Sequence, residues 1–118
     1  DSDTLYGGGG RDNLYGEGGA DNFVLNGFNG SRDNVRDFSF ADGDTIDISD
    51  VLSGVYTSGV DDITDFVRIR DAGANSDIRV DVTGSGSFGN ATRVGLIYGI
   101  TGITDELALE TSGDLITM

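Results

Sequence analysis

The stretch LYGGGGRDNLYGEGGADNFVL, residues 5–25, reads almost the same twice and decides the architecture of this chain. Aspartate recurs every nine residues, and a large apolar residue follows each aspartate two positions later. The three pairs are Asp3 with Leu5, Asp12 with Leu14, and Asp21 with Phe23. Self-similarity at a fixed period is the signature of a repeat architecture, so each nonapeptide is expected to form one structural unit.

Each nonapeptide divides into a short strand and a glycine-rich turn. Strands are predicted at Thr4–Tyr6, Asn13–Tyr15 and Asn22–Val24, with the middle side chain of each on one face. The residues between them reverse the chain, because glycine adopts positive φ without steric cost and leaves backbone carbonyls exposed. Two nonapeptides then complete one coil of 18 residues, and successive strands alternate between two small parallel sheets.

A coil of this length brings the aspartates of successive turns together. Asp3 is expected beside Asp21 on one edge, and Asp12 beside a residue near position 30 on the other. Two close carboxylates repel each other, but with inward-facing carbonyls they form the cage of roughly six to eight oxygens that calcium prefers. Magnesium fits such a cage less well, because it demands octahedral geometry and keeps its waters. The alternative is a glycine-rich turn array that binds no metal.

The composition excludes several classes of function. The 118 residues carry 21 acidic residues against seven arginines, for a net charge of −14. Such a charge opposes nucleic acid or an anionic membrane as partner and favours cations. Cysteine and histidine do not occur, which excludes ordinary zinc, copper and haem sites and the Ser-His and Cys-His nucleophiles. Apolar runs are too short to cross a bilayer, so membrane insertion is not expected.

Complete disorder is the alternative that 20 glycines and a high charge raise. The hydrophobic residues, 36% of the chain, argue against it. So do the six phenylalanines and four tyrosines, many of which stand at regular intervals.

The nonapeptides resemble the calcium-binding repeat of RTX (repeats-in-toxin) proteins, whose pattern is G-G-x-G-x-D-x-U-x. GGGGRDNLY (7–15) fits every fixed position, and GEGGADNFV (16–24) fits with Glu17 in place of the second glycine. DSDTLY resembles the end of a further copy, and GFNGSRDNVR (27–36) resembles another with Phe28 for glycine and one inserted residue. The resemblance implies a short parallel β-roll with calcium held between loops one coil apart.

The same resemblance implies two calcium sites in the roll. The implied ligands of the first are the carboxylates of Asp3 and Asp21 and the carbonyl oxygens of Gly16 and Gly18. The implied ligands of the second are the carboxylates of Asp12 and Asp33 and the carbonyl oxygens of Gly8 and Gly10. The departure at Glu17 matters little where only its backbone is used.

The stretch DNVRDFSFADGDTIDISDVL, residues 33–52, changes character. Apolar residues alternate with polar ones as in strands, around a turn at 42–44. The alternating residues are Val35, Phe38, Phe40, Ile46 and Ile48. The stretch resembles the segment that follows RTX repeats in exported proteins and caps the open end of the roll. Its residues leave open whether Asp37, Asp42 and Asp44 bind a further calcium ion or are ordinary turn and surface aspartates.

Beyond Ser53 the nonapeptide stops and other patterns take over. The predicted elements are a helical turn at 62–67, a hairpin with strands at 67–71 and 77–82, a strand at 92–100, a helix within 104–113 and a short strand at 114–118. Thr104 is the expected N-cap of the helix, and Gly113 is expected to end it. Leu107 and Leu109 are expected to face the core.

Residues 62–118 also resemble the C-terminal region of very large bacterial adhesins exported by type I secretion. The matching residues are GANSDIRVD (73–81), GITG (99–102) and GDLI (113–116). The resemblance implies an uncleaved secretion signal that leaves the cell first. Three segments follow: 1–36, RTX β-roll repeats truncated at the N-terminus; 37–60, a capping segment; and 61–118, a β-rich secretion-signal region with one or two short helices. The chain starts inside a repeat without methionine, so we expect it to be cut from a longer protein.

The sequence therefore predicts a mainly β, non-catalytic calcium-binding module that folds on meeting extracellular calcium after export. The resemblances place it at the end of a giant adhesin of bacterial surfaces and biofilms, secreted or at the cell surface. Its expected partners are calcium ions and the type I secretion machinery, and it is expected to be monomeric. An enzyme is not expected, because metal ligation explains the paired aspartates with fewer assumptions than acid–base catalysis does.

Two alternatives remain open at this point. The first is the accessory C-terminal domain of an exported protease or lipase, whose local chemistry would be the same. The second is a module that recognises a glycan or another surface ligand through Tyr6, Tyr15 or the arginines of the hairpin. Those arginines, Arg68, Arg70 and Arg79, share the polar face of the hairpin, where they form a binding patch or simply pair with nearby aspartates.

Overall fold

The computed structural model describes residues 3–6, 12–25, 33–57, 59–86, 91–103 and 105–117. These residues form a β-rich fold with nine strands and three short helices. The strands are β1 (Thr4–Tyr6), β2 (Asn13–Leu14), β3 (Asn22–Val24), β4 (Asp33–Val35), β5 (Thr45–Asp47), β6 (Val67–Ala72), β7 (Asn75–Val80), β8 (Thr92–Ile97) and β9 (Leu115–Ile116). The helices are α1 (Ser49–Leu52), α2 (Ile63–Phe66) and α3 (Glu106–Ser112). The predicted mainly β chain, with two short helices in its C-terminal region, is confirmed.

The first five strands alternate between two sheets, as the repeat predicts. β1, β3 and β5 lie side by side in sheet A, β2 and β4 lie together in sheet B, and all these pairs are parallel. Thr4 is level with Asn22, which gives the first coil its predicted length of 18 residues. The following coils take 21 residues on sheet B and 23 on sheet A, because the chain beyond β3 departs from the nonapeptide.

The C-terminal residues complete both sheets. β8 pairs in parallel with β4, and the β6–β7 hairpin joins β8 antiparallel, which gives sheet B the order β2-β4-β8-β7-β6. β9 pairs in parallel with β5, and sheet A has the order β1-β3-β5-β9. Sheet A is therefore parallel and sheet B mixed. The segments predicted at 1–36, 37–60 and 61–118 share these sheets, and the last contributes to both.

The apolar core lies between the two sheets. The second position of each repeat strand enters it: Leu14 and Phe23 are buried, and Leu5 packs against them from the end of the stack. The alternation of side chains along a strand explains this placement. The C-terminal strands and α2 supply a larger group of buried residues: Ile63, Phe66, Val67, Ile69, Ile78, Val80, Val94 and Ile97.

Two predictions about α3 are wrong. The N-cap is Asp105, whose side chain accepts a hydrogen bond from the amide of Ala108 at 3.1 Å; Thr104 lies outside the described residues. Leu107 is 55% exposed, and Glu106 is buried in its place. Leu107 and Leu109 are two residues apart and so cannot both face the core from one helix. The prediction for Gly113 is confirmed, since it ends the helix with a φ of 88°.

The turn predicted at 42–44 is present one or two residues earlier, over residues 40–43, where Gly43 has a φ of 87°. The strands that flank it do not pair with each other. β4 lies in sheet B and β5 in sheet A, so this turn carries the chain from one sheet to the other. Phe38 is buried and Phe40 is 40% exposed.

Candidate metal site

In sheet A, the carboxylate of each aspartate accepts a hydrogen bond from the backbone amide of the aspartate one coil earlier. The carboxylate of Asp21 accepts a hydrogen bond from the amide of Asp3 at 2.8 Å. The carboxylate of Asp44 accepts one from the amide of Asp21, also at 2.8 Å. Each aspartate immediately precedes a strand of sheet A, so the register of the parallel strands sets this spacing. We call Asp3, Asp21 and Asp44 the sheet A ladder.

Oδ2 of Asp21 lies against the glycine-rich loop that precedes it. Asp21 is 1% exposed, and this oxygen is buried with no hydrogen-bond partner among the described residues. Gly16 is close enough that a Cβ there would collide with the oxygen and lie 2.7 Å from Cγ. A glycine is therefore required at position 16, and the carboxylate points into a loop whose backbone is the nearest source of polar atoms.

Asp37 holds the same loop from the next coil. Its two oxygens accept hydrogen bonds from the amides of Gly16 at 2.8 Å and Glu17 at 2.7 Å. Glu17 has a φ of 65°, the left-handed conformation for which the repeat pattern has glycine. The loop is therefore fixed between the carboxylates of Asp21 and Asp37, and its amides are used by Asp37.

Sheet B has a second, shorter ladder of Asp12 and Asp33. The carboxylate of Asp33 accepts a hydrogen bond from the amide of Asp12 at 3.2 Å. Oδ2 of each residue is buried and has no hydrogen-bond partner within the described ranges. Burial raises the pKa of Asp33 above its ordinary value of 3.8; the charge of Asp12 raises it further, and the Asp12 amide opposes both.

Each ladder ends beside a glycine of the C-terminal part, Gly95 within β8 and Gly113 just before β9. Asp33 is level with Gly95 of β8, and a Cβ there would lie 2.5 Å from Cδ1 of Leu25, which fills the space. In sheet A, Ile46 is level with Leu115. Two residues earlier in each segment, the same register places Asp44 level with Gly113. The carboxylates of each ladder therefore stop at the strand that completes the stack.

The predicted ligands fall into three groups. Asp3, Asp21, Asp12 and Asp33 are brought together in the predicted pairs, with Gly16 beside Asp21. Gly18 is exposed in the loop next to Gly16, while Gly8 and Gly10 lie outside the described residues. Asp44 joins the sheet A ladder and Asp37 holds the loop, but Asp42 is exposed in the turn.

The sequence did not reveal two contacts that shape this site. Oδ2 of Asp44 accepts a hydrogen bond from the amide of Ser39 at 2.8 Å, so this carboxylate is fully used. Asp37 was a candidate ligand, yet its oxygens accept from two loop amides. Both contacts are made by residues between β4 and β5, a segment that the repeat period does not describe, and the Asp37–Gly16 contact spans 21 residues as the sheet B coil does. The contacts of Asp37 and Asp44 therefore cannot be predicted from their distance along the sequence to Asp21.

The arrangement suits a hard cation that takes oxygen ligands. No three acidic side chains of the described residues lie close enough together to hold a metal ion by themselves. A cation at either ladder would have to combine the buried Oδ2 atoms with backbone carbonyl oxygens of the glycine-rich loops. Calcium accepts such mixed sets, because its coordination number and geometry are variable.

Comparison with known proteins found no matching family model, no matching curated protein and no matching solved structure. Among the residues that the structure describes, no helix has the length and apolar character needed to cross a membrane. The functional argument therefore depends on the geometry of the ladders alone.

Proposed function

We propose that this chain is a non-catalytic calcium-binding module that folds when it meets extracellular calcium. The observation that carries the proposal is the set of three buried carboxylate oxygens, Oδ2 of Asp12, Asp21 and Asp33, with no hydrogen-bond partner among the described residues. A buried polar atom left without a partner costs about 1–3 kcal/mol, and more when it is charged. A cation bound to these oxygens removes that cost.

Calcium is the cation that fits the donor set best. The available donors are carboxylate and carbonyl oxygens, without nitrogen or sulfur ligands, since the chain has neither histidine nor cysteine. The alternation of the first strands between two sheets, with aspartates before each strand, supports the RTX-like β-roll that the nonapeptides suggest.

The net charge supports folding that depends on calcium. Each bound calcium ion cancels two of the 14 net negative charges, whose repulsion otherwise opposes the compact state. A ligand at ten times its dissociation constant stabilises the folded state by about 1.4 kcal/mol per site. Several such sites supply the ~5 kcal/mol at the lower end for a stable domain. Where calcium is scarce, as in the cytosol, the repeat coils stay unfolded.

The proposal extends to export and location. Residues 61–118 carry the secretion signal read by a type I exporter, and the module forms the end of a large adhesin outside the cell. Their strands, which terminate both ladders at glycine, would also serve as the cap of the roll. An accessory domain of an exported protease or lipase would use the same residues in the same way.

Circular dichroism during calcium titration tests the folding proposal. The chain in excess EGTA should show less β-structure than in calcium, and calcium should restore the difference in a saturable transition. Magnesium at the same concentration should not replace calcium, because magnesium demands near-ideal octahedral geometry and gives up its waters reluctantly. A chain that is fully folded in EGTA, and unchanged by calcium, would contradict the proposal.

Two isosteric variants test whether the calcium-dependent folding transition depends on the sheet A ladder. Asp21→Asn keeps an oxygen that can accept the Asp3 amide but removes the buried charge, so the calcium midpoint should rise about tenfold or more, equivalent to about 1.4 kcal/mol. Asp42→Asn makes the same change in an exposed turn and should leave the midpoint unchanged. Equal effects of the two variants would show that calcium acts through overall charge rather than at the ladder.

A further inference from the structure

The outward face of sheet B collects most of the basic residues of this acidic chain. Side chains alternate along β6 and β7: Val67, Ile69 and Ile78 are buried in the core, so Arg68 and Arg79 lie on the opposite side. The register across the sheet adds further arginines to that side. Five of the seven arginines belong to this surface, the arginine face: Arg36, Arg68, Arg70, Arg79 and Arg93.

Three of these arginines form a row across three adjacent strands. Arg68 is level with Arg79, and Arg79 is level with Arg93. Like charges directly opposite each other in a sheet are destabilising, so such a row needs anions nearby. Asp77 supplies one: its oxygens lie 2.9 Å from Nε of Arg79 and 2.6 Å from Nε of Arg93. One buried carboxylate thus serves two guanidinium groups whose side chains are 34% and 36% exposed.

The rest of the face is polar and includes an aromatic ring. Arg70 is exposed opposite Asp77, and Arg36 stacks over Tyr98, with its guanidinium carbon 3.8 Å from the ring centroid. The face continues toward the repeat coils with Asn34, whose amide donates to the side chain of Asn13 at 3.1 Å. Five arginines and one aspartate give this surface a net charge of +4 on a chain of −14.

The charge of the remaining surface restricts what can bind here. A second copy of the chain would bring another net charge of −14, which favours the monomer. Duplex DNA carries a negative charge per ~1.7 Å of helix axis. Many of its phosphates would therefore lie outside the arginine face, where the surrounding acidic surface repels them. Screening removes repulsion beyond about 8 Å at physiological salt, so a partner with widely spaced anions meets mainly the local positive charge.

We propose that the arginine face binds an acidic polysaccharide, a polymer of sugars that carries carboxylates at intervals. Guanidinium groups bind carboxylates through paired, charge-assisted hydrogen bonds, and Arg70, Arg79 and Arg93 are placed to supply them. The side-chain amides of Asn34 and Asn13 and the ring of Tyr98 suit the hydroxyls and apolar faces of the sugars between the charges. This surface is separate from the aspartate ladders and adds a binding activity to the calcium-dependent module.

Biolayer interferometry with immobilised hyaluronate, in saturating calcium, tests the proposal. The chain should bind hyaluronate and not neutral dextran, and binding should weaken as salt is added. Arg70→Gln should weaken binding about tenfold, the loss of one charge-assisted hydrogen bond, while Arg70→Lys should retain most of it. Arg70 is exposed, so circular dichroism should show the same calcium midpoint for both variants.

Arg36→Gln provides a second position on the same face, should Arg70→Gln fail to fold. Absence of hyaluronate binding, equal binding to dextran, equal or tighter binding to duplex DNA, or an unchanged affinity in a folded glutamine variant would each overturn the proposal. The test is independent of calcium-triggered folding. A chain that folds in EGTA and binds hyaluronate would contradict the calcium proposal alone, and one that folds only in calcium without binding hyaluronate would contradict this one alone.

Discussion

The repeat coils, residues 3–47, and the C-terminal part, residues 61–117, contribute to the same two sheets but are built differently. Strands of the coils are two or three residues long, whereas β6, β7 and β8 have six residues each. Most of the buried large apolar side chains outside the coils lie in β6, β7, β8 and the adjoining α2. Both parts bury large apolar side chains in the shared core, so the difference between them lies in strand length and in how their buried carboxylates are satisfied.

The difference extends to the buried carboxylates. In the C-terminal part each has partners from the protein: Asp77 forms ion pairs with two arginines, Glu106 accepts the amide of Ile69, and Asp81 accepts the amide and hydroxyl of Thr83. In the coils, Asp12, Asp21 and Asp33 each keep one buried oxygen without a partner among the described residues. Under the proposed function, calcium supplies the missing partner.

Calcium removal should produce the largest difference between the repeat coils and the C-terminal part. Amide hydrogen exchange should show that β1 to β5 lose their protection in EGTA, because the coils lose the ligand that offsets their buried charges. The β6–β7 hairpin should keep more protection, since its longer strands and apolar face do not depend on the ladders. The expected change is several kcal/mol in the coils, at about 1.4 kcal/mol per site for calcium at ten times its dissociation constant.

Equal loss of protection in both parts would contradict this division. It would mean that the pairs β4–β8 and β5–β9 couple the two parts into one cooperative unit. Magnesium in place of calcium serves as the control and should restore little protection in the coils.

Two glycine substitutions in one loop sharpen the account of the coils. Gly16→Ala should destabilise the calcium-bound chain by about 1–3 kcal/mol, because the new Cβ would displace the carboxylate of Asp21. Gly18→Ala should change stability by less than about 0.5 kcal/mol, since a Cβ there meets nothing within 4 Å. Urea unfolding in saturating calcium measures both, and similar values for the two would show that Asp21 is free to move away.

The smallest expected effect is a difference in pH dependence between Asp33 in the coils and Asp62 in the C-terminal part. The pKa of Asp33 is raised, so the folded state binds its proton more tightly than the unfolded state does. Ionisation of Asp33 therefore destabilises the folded state progressively as pH rises from 3.8 through the pKa that Asp33 has in the folded state. Above that pKa the full cost of the buried charge is present. Without calcium, acidification toward pH 3.8 should promote folding.

Asp62 has the opposite sign and serves as the control. The hydroxyl and amide of Thr64 lower its pKa below 3.8, so its contribution is present above 3.8 and is lost only as pH falls further through the folded pKa. Circular dichroism in EGTA from neutral pH down to pH 4 should show the acid-promoted gain reduced in Asp33→Asn and unchanged in Asp62→Asn. A gain of the same size in Asp33→Asn would mean that other carboxylates account for it.

Much of the coil geometry follows from the nonapeptide. The strands at Thr4–Tyr6 and Asn22–Val24, the 18-residue coil and the pairing of Asp3 with Asp21 all follow from a period that each repeat unit enforces locally. The pairing of Asp12 with Asp33 was also predicted, although that coil takes 21 residues. The strands of the hairpin and β8 follow from their alternation of polar and apolar residues.

The order of the last strands could not be read in the same way. Nothing local in β8 or β9 shows that one extends sheet B and the other sheet A, because strand pairing joins residues far apart in the chain. The roles of Asp37 and Asp44 depend on the segment between β4 and β5, which no repeat fixes. Leu107 was misplaced because the exposed and buried sides of a short helix are set by what it packs against.

The sequence by itself determined the period, the short strands and the repeated carboxylates, because these depend on glycine, aspartate and apolar residues at fixed local spacing. Only the tertiary structure decided which carboxylate oxygens are buried without a partner among the described residues, and where the ladders stop. It also decided that arginines of β6, β7 and β8 share one face with Arg36, which follows β4. These outcomes depend on the register between strands distant in the chain, which many weak contacts fix together and no short stretch encodes.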